Sequence, residues 1–157
     1  MEFKIRQANR QDLIELAQVH KQVFTRQQLS FEWLECNLNA FPRCLFYVVE
    51  INDEIIGFII WSQKSGFRPE AILDLEQIAI LTDYQGQGLG AKLIEESLVL
   101  VKQQLAKQDS ILKHITVSTR ADNQAQRLYK KVLGAEIEAT IKNLYSADEV
   151  FMIARNV

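Results

Sequence analysis

The sequence predicts an α+β domain: one mixed sheet of six to seven strands, flanked by about four helices. Three observations carry that prediction. Short segments rich in β-branched and aromatic residues are interleaved with segments whose apolar residues recur at helical spacing. Their order, β-α-α-β-β-β-α-β-α-β-β, combines a run of hairpin-linked strands with strands separated by helices. The 48% hydrophobic and 24% charged residues are those of a folded globular chain. A length of 157 residues, with no repeat, linker or low-complexity tract, fits a single domain over 1–157.

Residues 4–8 read as a strand, and Asn9 as the N-cap of a helix to about 22 with Leu13, Ile14, Leu16, Ala17 and His20 near one face. Residues 30–38 form a second helix, which Pro42 ends. Segments 45–51 and 55–61 are strands joined in a hairpin across Asn52-Asp53-Glu54, and 64–70 is a loop holding Gly66 and Pro69. Residues 72–81 form the fourth strand. The next helix begins at Gly88, with Gly90, Leu93, Ile94, Ser97, Leu98, Val101 and Leu105 on one face and Lys92, Glu95, Glu96, Lys102 and Gln103 on the other. Residues 113–119 form a strand, and Ala121-Asp122-Asn123 begins a short helix to about 132 with Gly134 as its C-terminal cap. Strands at 135–142 and 149–154 close the chain.

The net charge of −2 is spread along the chain, and no basic cluster exists to neutralise a row of phosphates, so nucleic acid is not an expected partner. No apolar run reaches the ~18 residues of a membrane span. The first residues lack the apolar core of a signal peptide, so no membrane partner and a cytoplasmic location are expected. Cys36 and Cys44 have no CxxC spacing and no histidine nearby, so they read as buried or idle thiols and no metal is expected. His20 and His114 read as an ordinary helix residue and an ordinary strand-edge residue.

Between the fourth strand and its helix stands Gln85-Gly86-Gln87-Gly88-Leu89-Gly90-Ala91. Glycines at every second position let the backbone turn through positive φ and approach a ligand closely, while the first N–H groups of the helix point at whatever sits there. An anion is the natural guest; the plain alternative is a tight turn. Gly86-x-Gly88-x-x-Ala91 also satisfies a dinucleotide fingerprint, with Asp109 near the required distance. Asp109, however, precedes a strand instead of ending one, and the turn follows the fourth strand instead of the first. A P-loop is excluded because no Gly-Lys-Ser/Thr follows.

The signature Gln/Arg-x-x-Gly-x-Gly/Ala is met at every fixed position by residues 85–90, and Asn123, Ala125, Leu128, Tyr129 and Gly134 follow the order of Asn-x-x-Ala-x-x-Leu-Tyr-x-x-x-Gly-Phe, with one residue instead of two between Asn123 and Ala125. Over nearly its whole length the chain thus resembles the GNAT superfamily of acyl-CoA-dependent N-acetyltransferases. It departs in carrying one extra residue between Tyr129 and Gly134, and Ala135 in place of phenylalanine. The resemblance implies a sheet splayed between strands 4 and 5, with acetyl-CoA as donor substrate. It assigns the main chain of Ile78, Ala79 and Ile80 to the pantetheine arm, and Gln85, Gly86, Gln87, Gly88, Leu89, Gly90 and Ala91 to the pyrophosphate. Asn123 either hydrogen-bonds that arm or caps its helix.

The acceptor is then an amine, of a small molecule or of a protein N-terminus, attacking directly in a ternary complex. A lysine-like amine with a pKa of ~10.4 is mostly protonated at neutral pH and needs a base. Asp74 and Glu76 share one face of the fourth strand with Ile78 and Ile80, and Glu76 is the first choice for that base. Tyr129 holds the position from which a phenol protonates the leaving thiolate as general acid, and a main-chain N–H near Ile80 serves the oxyanion. An acceptor lining is expected from Phe24, Phe31, Trp33, Phe41, Phe67 and Tyr145 with Glu32, Glu35 and Asp148, although Phe24 and Trp33 read first as core. Residues 145–152 faintly resemble enzymes that acetylate protein N-termini. The molecule is expected as a monomer or homodimer. The rival reading is an acyl-CoA-binding module without turnover.

Overall fold

A computed structural model describes residues 2–157. The strands are β1 (Lys4–Gln7), β2 (Cys44–Ile51), β3 (Glu54–Gln63), β4 (Glu70–Ile80), β5 (Ile111–Arg120), β6 (Glu136–Ile141) and β7 (Glu149–Arg155). The helices are α1 (Leu13–Val23), α2 (Ser30–Asn39), α3 (Leu89–Ala106) and α4 (Ala125–Leu133). The seven strands form one mixed sheet in the order β1-β2-β3-β4-β5-β7-β6. Pairing is antiparallel in β1–β2, β2–β3, β5–β7 and β6–β7, and parallel in β4–β5. The parallel ladder runs only from Glu70 opposite Ile111 to Asp74 opposite Thr116, so β4 continues past its end as the predicted splay requires.

The chain divides into two compact units, one of residues up to Ser62 with Glu76–Val101, the other of Gln63–Leu75 with Lys102–Val157. In the first, Leu13, Leu16, Ala17 and Val19 of α1 and Leu34 of α2 join Phe46 and Val48 of β2 and Phe58 and Ile60 of β3 in one buried cluster. Each such large side chain contributes roughly 1.5–3 kcal/mol on burial. On α3, Leu93 and Ile94 are fully buried, and Ser97 accepts the indole N–H of buried Trp61 at 3.0 Å. The β2–β3 hairpin turns through Asn52 (φ 51°) and Asp53 (φ 63°), both in the left-handed region that a tight hairpin requires.

Two expectations in this unit need correcting. Asn9 caps a short 3-10 turn over Arg10–Asp12: its side chain accepts from the Gln11 N–H, and Asp12 accepts from the Asn9 N–H. That turn sets the phase of α1, which begins at Leu13, and Ile14 falls off the buried stripe with 72% of its surface exposed. Asp12 also joins Glu50 in gripping Arg6 of β1.

In the second unit, Ile115 and Val117 of β5 and Val150, Met152 and Ala154 of β7 are buried. Helix α4 starts at Ala125, later than predicted, because the carboxylate of Asp122 is taken by Arg120 (3.0 Å) and the Asn123 N–H bonds the Arg120 carbonyl (2.9 Å). Gly134 ends it at φ 69°, its N–H returning to the carbonyl of Lys130 at 3.0 Å. Strand β6 is exposed at every residue, and its pairing with β7 is bulged between Ile137 and Ala139.

Candidate active site

In the first unit the predicted turn is built by close backbone packing. A Cβ added to Gly57 of β3 would stand 2.4 Å from the Ala79 carbonyl oxygen and 2.7 Å from Ile80 Cδ1, so only glycine lets β3 approach β4 this closely. The Leu81 N–H bonds the Ile56 carbonyl at 2.8 Å, which anchors the end of β4. The chain then makes a short turn over Thr82–Tyr84, and the Gln85 side-chain amide reaches back to donate to the Ile80 carbonyl at 2.8 Å. Gln85 therefore fastens the turn to the strand.

Gly86 and Gly88 lie at φ 77° and 79°, and a Cβ on either would meet nothing within 4 Å. Both are exposed, as is Gln87 between them. The Lys92 N–H bonds the Gly88 carbonyl at 3.1 Å as the helix opens, and Leu89 is buried. The first N–H groups of a helix have no acceptor within it, so those at the start of α3 face outward over an open backbone cradle at the positive end of the helix dipole.

Glu76 is exposed and accepts a long 3.4 Å hydrogen bond from the hydroxyl of buried Ser62. Burial first, and the Glu76 charge in lesser degree, push the Cys44 thiol above its ordinary pKa against the pull of Arg43. Next along the strand, Gln77 accepts the Trp33 indole N–H at 2.9 Å and donates to Gln27 at 2.9 Å. Trp33 is therefore a surface residue with a polar engagement, and its expected place in the core is corrected. Phe24 does pack against the core.

In the second unit, Asp74 is half-buried and accepts from the hydroxyl of buried Thr116 at 2.7 Å. Tyr129 is 5% exposed, and its phenol is pushed up to about 12, by burial first and by the Asp74 charge second. Asp74 and Tyr129 are thus electrostatic neighbours. The carboxylates of Asp74 and Glu76 have separate hydroxyl partners, Thr116 and Ser62. Asn123 is exposed, and its side-chain oxygen accepts the Ala125 N–H at 2.9 Å, serving the start of α4 from two positions ahead.

The remaining aromatic candidates, Phe31, Phe41, Phe67 and Tyr145, are all substantially exposed. Glu35 is paired with Arg10 at 3.0 Å, and Asp148 accepts the Asn143 N–H at 3.1 Å. Sequence reasoning missed Thr116, Ser62 and Gln77. A hydroxyl or amide interrupting a strand's apolar pattern was the available signal for each.

The mixed sheet, with β4 leading through a glycine turn into α3, defines an acetyltransferase type of fold. The ribosomal-protein-S18-alanine N-acetyltransferase of Escherichia coli matches it with a TM-score of 0.79 at 22% identity, covering 99% of this chain and 94% of its own. An aminoglycoside 6'-N-acetyltransferase complexed with coenzyme A matches with a TM-score of 0.79 at 14% identity, over 98% and 97%. Arabidopsis thaliana NAA60 in complex with acetyl-CoA matches with a TM-score of 0.76 at 18% identity, over 97% of each chain. A search of curated proteins by sequence found no match. Residues 10–135 match the Acetyltransferase (GNAT) family, and the chain belongs to it.

Proposed function

We propose that this protein transfers an acetyl group from acetyl-CoA to a primary amine of a small molecule or of a protein or peptide N-terminus, by direct attack in a ternary complex. The observation that carries this reading is the cradle at Gly86 and Gly88, two open positive-φ positions leading into the 18-residue helix α3. A pyrophosphate fits it: the main-chain N–H groups from Gln87 to Ala91 would hold the phosphate oxygens, each favourable contact contributing ~1 kcal/mol. The pantetheine amides would pair with the main chain over Ile78–Ile80 in the manner of an added strand. The Ile80 carbonyl is already engaged by Gln85, so the pairing falls chiefly to Ile78 and Ala79.

As donor substrate, acetyl-CoA supplies an acetyl group on a good leaving thiolate. Glu76, exposed on β4, takes the proton from the amine nitrogen directly or through water. A second reading gives this role to Asp74, whose closeness to Tyr129 favours it. A main-chain N–H near Ile80 faces the carbonyl oxygen.

Its place in the motif assigns Tyr129 to the leaving sulfur. With its pKa near 12 it carries its proton throughout the neutral range. Handing that proton fully to a thiolate whose conjugate thiol titrates near ~8.5 would be uphill by roughly 5 kcal/mol. Tyr129 therefore works as a hydrogen-bond donor that stabilises the developing thiolate.

The test is release of free thiol from acetyl-CoA with a panel of polyamines, amino acids, aminoglycosides and N-terminal peptides, alongside calorimetric binding of acetyl-CoA. Acceptor-stimulated release supports the reading. Tight binding with no stimulation by any amine would establish a non-catalytic acyl-CoA-binding module.

A further inference from the structure

His20 of α1 has no exposed surface, yet both ring nitrogens are engaged: Nδ1 lies 2.8 Å from the hydroxyl of buried Ser30, and Nε2 lies 2.9 Å from Oε1 of Gln27. The direction of these bonds follows from one residue. An indole N–H only donates, so the Trp33 contact fixes the oxygen end of the Gln77 amide toward it. The amide's NH2 group then faces Gln27, whose oxygen accepts it. That same oxygen faces His20 Nε2, which must carry the ring proton. Nδ1 is left bare and accepts the Ser30 O–H. The chain Trp33, Gln77, Gln27, His20, Ser30 therefore has every donor assigned, and donation from its surface end and from its core end converges on Oε1 of Gln27.

Its members are distributed to a purpose. Gln27 sits in the connection between α1 and α2, Ser30 and Trp33 lie in the first turn of α2, and Gln77 follows Glu76 on β4. In the connection, residues 25–29 are exposed, the Gln27 N–H bonds the Phe24 carbonyl at 3.1 Å, and Leu29 takes a left-handed φ of 53° as α2 begins. Inside, the His20 ring lies 5.0 Å from Phe24 and 6.3 Å from Phe58, centroid to centroid, an apolar setting in which an orphaned ring nitrogen is costly.

We infer that Gln77 and His20 are positioning residues for the acceptor amine, tying the α1–α2 connection to β4 one residue from Glu76. This rests on the acetyltransferase reading above. Gln77 adjoins Glu76 on β4, so the side chains of Gln27 and Trp33 are bonded to the residue next to the proposed base. The chain fixes where they stand.

The test uses Gln77→Leu in the full chain, which removes both amide bonds without burying a charge, and Trp33→Phe, which removes the directing N–H and keeps the ring. Hydrogen exchange at residues 24–29 should quicken about tenfold in Gln77→Leu, with β2 and β3 unchanged. Nitrogen NMR of His20, a single Nε2–H tautomer in the parent, should show mixed tautomers in both variants. With an amine from the screen, acceptor KM should rise about tenfold while kcat and acetyl-CoA affinity hold. Unchanged exchange and tautomer overturn the inference. A loosened connection with unchanged acceptor KM also overturns it, leaving a purely structural tie. If acetyl-CoA binds and no amine is acetylated, the reading of the previous section fails instead, and exchange and tautomer still decide the tie.

Discussion

A phenol held near pKa 12 in a protein interior can give a hydrogen bond at any working pH and can lose its proton at almost none. Tyr129→Phe should therefore lower kcat by about tenfold or more while leaving acetyl-CoA affinity within about twofold. The ascending and descending limbs of the pH–rate profile should keep their midpoints, because Tyr129 titrates outside the measured range. Stopped assays from pH 6 to 10 check both points, and a descending limb that vanishes with the hydroxyl would make Tyr129 a true proton donor. The identities of Tyr129, Asp74 and Glu76 as candidates were legible in the sequence, through motif position and strand alternation. Their partners were not: Thr116 lies 42 residues beyond Asp74, and Ser62 lies 14 before Glu76. His20 was passed over as an ordinary helix residue because Gln27 and Gln77 reach it only once the chain has folded.

Among the elements, the glycine turn is the one whose backbone decides its use. At φ 79°, any side chain on Gly88 brings about 1–2 kcal/mol of strain, so Gly88→Ala serves as the control for Gly88→Glu. The glutamate should weaken acetyl-CoA binding about tenfold or more beyond the alanine by placing a negative charge at the helix start. Calorimetric titration reads this, and equal affinities in the two variants would remove the phosphate from this turn. At Gly57 the expectation concerns folding alone. A methyl group 2.4 Å from the Ala79 carbonyl cannot be relieved by a flexible side chain, and Gly57→Ala should cost about 2 kcal/mol or more in urea unfolding.

The strands were legible because their side chains alternate or run apolar, and the long helix because its stripe persists over 18 residues. Helix starts were not. Asn9 was correctly seen as a cap, but of a 3-10 turn. Ala121-Asp122-Asn123 resembles a helix entry until Arg120 claims Asp122, a competition of side chains that propensity does not encode.

At the scale of the whole molecule, two buried groups set the response to acid. Burial holds His20 below its ordinary pKa against the opposing bond to Gln27, so the unfolded chain binds the proton first. Stability is then full above the unfolded value of ~6.5 and declines as the pH falls below it. For Asp12 burial works upward, but the bonds from Arg6 and Asn9 outweigh it and the carboxyl is held below its ordinary pKa. Its contribution is present above ~3.9 and is lost as the pH falls through the lower folded value. Urea midpoints should thus fall between pH 7.5 and 5 in the parent, and fall less in His20→Asn. Equal slopes would assign the early loss to another group.

The sheet's two ends bear on how this protein behaves when crowded. Strand β1 offers only four residues, and Arg6 within it is held by Asp12 and Glu50. Strand β6 is interrupted by its bulge, and Glu138 at the interruption is bridged to Arg155 at 3.2 Å. A foreign strand seeking to extend the sheet finds a short charged margin at one end and a broken register at the other, features that blunt edge-to-edge growth. Heating or concentration should therefore drive aggregation through unfolded chains, with the native sheet itself inert toward polymerisation.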